Sequence, residues 1–110
     1  MPGPPTAAFT AELWLHEGPA AWHFVRLPAD VADDVRELGA AARAGFGSVR
    51  VTATVGGTSW RTSVFPDAKS GSYLLPVKRS VRVAEQLSAG DRVRVELVVA
   101  ADGPGVRGRR

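Results

Sequence analysis

The chain has 110 residues, 45% hydrophobic and 23% charged, with no cysteine. This fits one domain around one modest core and excludes disulfides, thiolate nucleophiles and cysteine zinc sites. The net charge of +3 is carried by Arg107, Arg109 and Arg110 in the tail "DGPGVRGRR", because 14 − 3 leaves 11 basic residues against 11 acidic ones. The folded part is therefore neutral, and the basicity belongs to a Gly/Pro/Arg tail that is not expected to fold.

No apolar run approaches the roughly 20 residues of a membrane helix. No basic start leads into an apolar stretch, as a signal peptide would require. A cytoplasmic protein without a membrane partner is expected. Residues 1–7, "MPGPPTA", offer nothing to bury and form a disordered start, leaving 8–100 as the single domain and 101–110 as a flexible tail.

In chain order, "FTAELWLH" (Phe9–His16) alternates Phe9, Ala11, Leu13 and Leu15 with Thr10, Glu12, Trp14 and His16, a strand pattern. "EGPA" turns the chain, and "AWHFVRL" (Ala21–Leu27) returns as a second strand of the same hairpin. "PADVADDVRELGAA" reads as a helix: Pro28 suits its first turn, Asp30 and Asp33 suit its positive end, and Val31, Val35 and Leu38 form one stripe. Gly39 is the expected stop, with an extension to about Ala42 left open.

"SVRVTATV" (Ser48–Val55) alternates valine and alanine with polar residues and is the clearest strand. Gly56–Gly57 forms a two-residue turn into "TSWRTSVF" (Thr58–Phe65), whose Trp60 is placed in the core. "PDAKSG" is a loop and "SYLLP" (Ser72–Pro76) a short strand. "VKRSVRVAEQL" is a second helix with Val77, Val81 and Ala84 inward, and "RVRVELVVA" (Arg92–Ala100) the last strand. "RLPADVADDVREL" and "LLPVKRSVRVAEQL" both run Leu-Pro into a helix after a hairpin. This suggests an internal ββα duplication. The fold class is mainly β (α+β): a small closed or nearly closed β-barrel of about six strands, filled by side chains, with two helices.

The stretch "GFGSVRVTATVGGTSWRTSVFPDAKSGSYLLPVKRSVRVAEQLSAGDRVRVELVV", with "FTAELWLHEGPAAWHFVRLPADVADDVREL" before it, closely resembles one bacterial family, the domain of unknown function nineteen-zero-five. The resemblance covers about residues 8 to 99 and rests on many positions rather than one motif. It implies a compact β-barrel with helices and a cytoplasmic location. The family is sometimes fused ahead of a bacteriocin-protection domain of the YdeI/OmpD-associated kind, and no such partner is expected within these 110 residues. It implies no activity that can be carried to a residue.

Chemistry-bearing residues are sparse. His16 and His23 flank the first turn and, with Glu12 or Glu17, invite a metal, but no ligand spacing supports one. "DAKSGS" lacks the Walker pattern, although Lys69 beside Ser70–Gly71 could hold an anion. Ser63, Ser70, Ser72, Asp67 and Asp91 form no recognisable triad or elbow. Cations near the second helix's start, Lys78 and Arg79, are not explained by its dipole. The expected protein is a binding or interaction module rather than an enzyme, without metal or cofactor, monomeric or homodimeric. Its site comprises Arg61, Lys69, Ser70, Ser72, Tyr73, Lys78 and Arg82, and its partner is an anionic ligand or an acidic protein. The alternatives are weak nucleic-acid binding, with the aromatics not interleaved among the basic residues, and an enzyme with a pocket at the barrel mouth.

Overall fold

Alternation decides which side chains meet inside. The structure, a computed structural model, describes residues 7–16, 21–39 and 47–100. The elements are β1 (Ala7–His16), β2 (Trp22–Arg26), α1 (Ala29–Leu38), β3 (Val49–Val55), β4 (Thr58–Asp67), β5 (Ser72–Pro76), α2 (Arg79–Glu85) and β6 (Arg92–Val99). All pairings are antiparallel and close a barrel in the order β1-β2-β5-β4-β3-β6. The "EGPA" turn, the alanines after Gly39 and the arginine tail lie outside the described residues.

The interior is occupied by the expected faces: Leu13, Val25, Val49, Ala53, Val64, Leu75, Val95 and Leu97 are fully buried, and Trp60 is buried as predicted. Burying these branched apolar side chains supplies the main drive to close the sheet. β1 and β4, each 10 residues long, change partners midway. Ala7–Glu12 pairs with β6 and Leu13–His16 with β2, while Thr58–Val64 pairs with β3 and Phe65–Asp67 with β5.

The duplication hint extends further than a ββα unit. Trp22–Arg26 falls on Ser72–Pro76, and Ala29 on Arg79, under one shift of 50 residues (72 − 22, 79 − 29). Exchanging β1-β2-α1-β3 for β4-β5-α2-β6 maps the strand order onto itself. The junction bonds follow the same shift: Leu27 N–H donates to Tyr73 O at 3.0 Å, and Val77 N–H to His23 O at 3.0 Å. The fold is thus an approximately two-fold arrangement of two ββαβ units.

Two local expectations change. Leu38 is 57% exposed, and the α1 stripe is completed by buried Ala32 instead. Ala84 is exposed because the seven-residue α2 has room for one inward side chain, Val81, with Val77 buried ahead of it. The Gly56–Gly57 turn forms where expected, Val55 pairing with Thr58 across it and Gly56 taking a positive φ of +58°. Gly39 does end α1. A Cβ there would lie 2.7 Å from Val49 Cγ1 and 2.9 Å from Val35 O, so the absent side chain lets the helix end press on β3.

Candidate functional site

β5 connects two different ends of the molecule, and the predicted site residues divide between them. At its start, Asp67 pairs with Ser72 across a tight hairpin loop. Ser70 Oγ donates to Asp67 Oδ2 at 2.7 Å, Ser72 N–H to Ser70 Oγ at 3.2 Å, and Gly71 N–H to Asp67 O at 2.8 Å. The loop's amides are therefore spent on the loop itself, which disfavours an anion there. Ser72 is buried, its hydroxyl donating to Leu27 O at 2.7 Å. Tyr73 points into the core, with Arg36 Cζ 5.5 Å from its ring centroid. Lys69 is exposed at the hairpin tip.

Four residues on, about 13 Å along the strand, Pro76 leads into α2. Here a cleft of about 340 Å³ is lined by Arg61, Lys78 and Arg82 together with Trp22, His23, Phe65 and Pro76. Three of the seven predicted residues thus meet in one place, while Lys69, Ser70, Ser72 and Tyr73 belong to the opposite end. The mixing arises because β5 crosses the barrel wall between the two groups.

The cleft's cations are held without a carboxylate. Arg82 Nε donates to Val77 O at 3.1 Å, tying the side chain across the strand-to-helix junction and leaving its terminal nitrogens for other partners. Arg61 extends from the outer face of β4, opposite in parity to buried Trp60. Among the described residues, no aspartate or glutamate lines this cleft, and neither Arg61 nor Lys78 forms an ion pair. Its apolar walls are Trp22, 51% exposed, and Phe65, 45% exposed. His23 Nδ1 is buried and has no hydrogen-bond partner among the described residues.

Sequence reading missed the aromatic wall. Trp22 and Phe65 are far apart in the chain, and only the order β2-β5-β4 sets them on either side of Pro76. Along β2, Trp22, Phe24 and Arg26 share one face. Trp22 and Phe24 stack at 5.9 Å and 6° between ring planes. Trp14 follows at 5.4 Å from Phe24, with Arg26 Cζ 5.5 Å from the Trp14 centroid. Aromatic and basic residues that do not interleave along the sequence therefore stand side by side on the outer face.

Other constellations resolve differently. Leu15 pairs with His23 and His16 with Trp22, so the two histidines point to opposite sides of the sheet and cannot share an ion. Among the described residues, no group of three or more His, Cys, Asp or Glu is placed to hold a metal. A wider, more open groove of about 620 Å³ near Trp14, Ser70 and Ser72 contains Arg26 and Arg92, but also Glu12. Its Arg26 is already engaged, 3.7 Å from Asp67. The Ser70 hydroxyl, followed by the Arg26 charge and backbone amides, outweighs desolvation and holds the Asp67 carboxyl below its ordinary range.

No helix among the described residues is long and apolar enough to cross a membrane. Comparison with known families aligns residues 9–97 with a family described as "Domain of unknown function (DUF1905)". No curated protein matches the chain.

Proposed function

The chain belongs to the DUF1905 family, a domain of unknown function, and on the geometry of the cleft we propose that it is a non-enzymatic binding module for an anionic ligand. The observation that carries this reading is the meeting of Arg61, Lys78 and Arg82 on one cleft with no acid lining it among the described residues. Cations so placed raise the local concentration of anions, and guanidinium groups hold oxyanions by paired hydrogen bonds. A binding role is favoured over catalysis because the chemistry for proton transfer is poorly placed. The histidines face apart, and a carboxylate with a lowered pKa, such as Asp67, is a weak base near neutral pH.

Calorimetric titration of the full chain with inorganic phosphate at low ionic strength tests the reading. Binding is expected to weaken as salt rises, because the cations are partly exposed. The double change Lys78→Glu and Arg82→Glu should abolish it, and Arg61→Ala should weaken it by about tenfold. Unchanged affinity in the double variant, with an unaltered near-ultraviolet dichroism spectrum, refutes the site.

A further inference from the structure

We infer that the cleft takes a nucleotide unit, its base against Trp22 and Phe65 and its phosphate on Arg61, Lys78 and Arg82. This rests on the anion-binding reading above and supplies the other half of the ligand. Three cations unopposed by any lining acid among the described residues exceed what one carboxylate, with a single charge, would neutralise. A phosphomonoester carries about −1.5 to −2 at neutral pH and three acceptor oxygens, which suits two guanidiniums and an ammonium.

The rest of the cleft is largely apolar. Trp22 and Phe65 leave about half of their surface to solvent and line the same cleft as those cations, and Pro76 lies between their strands. A simple inorganic or aliphatic anion would use the charges and leave the rings in water. A base attached to a phosphate uses both, through stacking and ion pairing. A polar group for a base edge is present in the Thr62 side chain. The volume of about 340 Å³ sits at the small end of ligand sites, roughly 300–1,000 Å³, and accommodates one unit.

Beyond the cleft the aromatic row continues through Phe24 to Trp14 and Arg26. A free nucleotide offers the base with one doubly charged phosphate, and single-stranded nucleic acid crossing the outer face offers bases with successive singly charged phosphodiesters that would share the three cations. Titrating the full chain with adenosine monophosphate, inorganic phosphate, adenosine and a ten-residue deoxyadenylate separates these sources.

The expected result is that the monophosphate binds about tenfold more tightly than phosphate or adenosine. Trp22→Ala should remove that advantage and leave phosphate binding unchanged, and Trp22→Phe should restore most of it. Equal affinity for the monophosphate and phosphate, insensitive to Trp22→Ala, overturns the inference and leaves the anion site standing. No binding of either overturns both. An oligonucleotide that binds more tightly than the monophosphate and is weakened by Trp22→Ala assigns the strand form; equal affinity assigns the free nucleotide. Oligonucleotide binding that survives Trp22→Ala but vanishes when Arg107, Arg109 and Arg110 become alanine belongs to the tail and overturns the strand form. Polyglutamate displacing the monophosphate at equal concentration would overturn the inference in favour of an acidic protein partner.

Discussion

Leu75→Ala and Leu38→Ala separate a barrel core from a helical stripe as the source of stability. Leu75 is 0% exposed and pairs with equally buried Val25 midway along the β2–β5 contact. Truncation removes three apolar carbons from a closed site, about 2.4 kcal/mol of transfer free energy at about 0.8 kcal/mol each. Incomplete collapse around the cavity brings the loss to about 3–4 kcal/mol. Leu38, which the helical spacing nominates for the core, is 57% exposed. Less than half of its surface is lost from contact and no closed cavity forms, so the cost is about 1 kcal/mol or less. Urea unfolding followed by the fluorescence of the three tryptophans reads both. The midpoint should fall by roughly 2 M for Leu75→Ala and by less than about 0.7 M for Leu38→Ala, at constant slope. Equal losses would refute the assignment of the core to the barrel.

The Gly56–Gly57 turn should respond unequally. Gly56→Ala should cost about 1–2 kcal/mol, because Gly56 has φ +58° and a Cβ would run into the Glu85 carboxylate, whereas Gly57→Ala should be neutral within about 0.5 kcal/mol, since nothing lies near a Cβ there. Thermal unfolding of the two single variants checks the asymmetry. Ser72→Ala removes the buried hydroxyl bonded to Leu27 O and should cost about 1–2 kcal/mol in the same assay. Asp67 is held below its ordinary pKa, mainly by Ser70. Its contribution is thus complete above the unfolded value and disappears as pH falls through the lower folded one. Ser70→Ala should move the Asp67 carboxyl titration upwards, measured by carbon-13 NMR, and an unmoved titration would show that the hydroxyl is not the cause.

Much of the fold can be read from single residues. Val49, Val51, Ala53 and Val55 announce β3 because a period of two leaves no other way to bury them together. The closed barrel follows from six such segments in a chain too short to shield open edges. Leu38 and Ala84 misled because helix spacing states which residues share a stripe, not how far along it the barrel reaches. The site was half legible. Lys78 and Arg79 stood out as charges that the helix dipole does not explain, and Arg61 and Arg82 were named beside Lys78 in the expected site, yet Lys69 and Ser70, close to Lys78 in sequence, are carried to the far end by five extended residues. Trp22 and Phe65 entered only through the β2-β5-β4 neighbourhood, which depends on pairing between distant segments.

The repeated ββαβ plan also governs how the chain can be divided. Within each half only a hairpin is self-contained, β1 with β2 or β4 with β5; the contacts β2–β5, β3–β4, β3–β6 and β1–β6 all bridge the halves. Neither half therefore satisfies its own backbone, and a chain cleaved at the Gly56–Gly57 turn would yield two fragments, each presenting the open strand edges that the other lacks. Because the plan maps onto itself, two copies of one half-length polypeptide would meet the same hydrogen-bonding demand. In this architecture the single chain and the self-complementing pair are alternative wirings of one barrel, differing by a single turn.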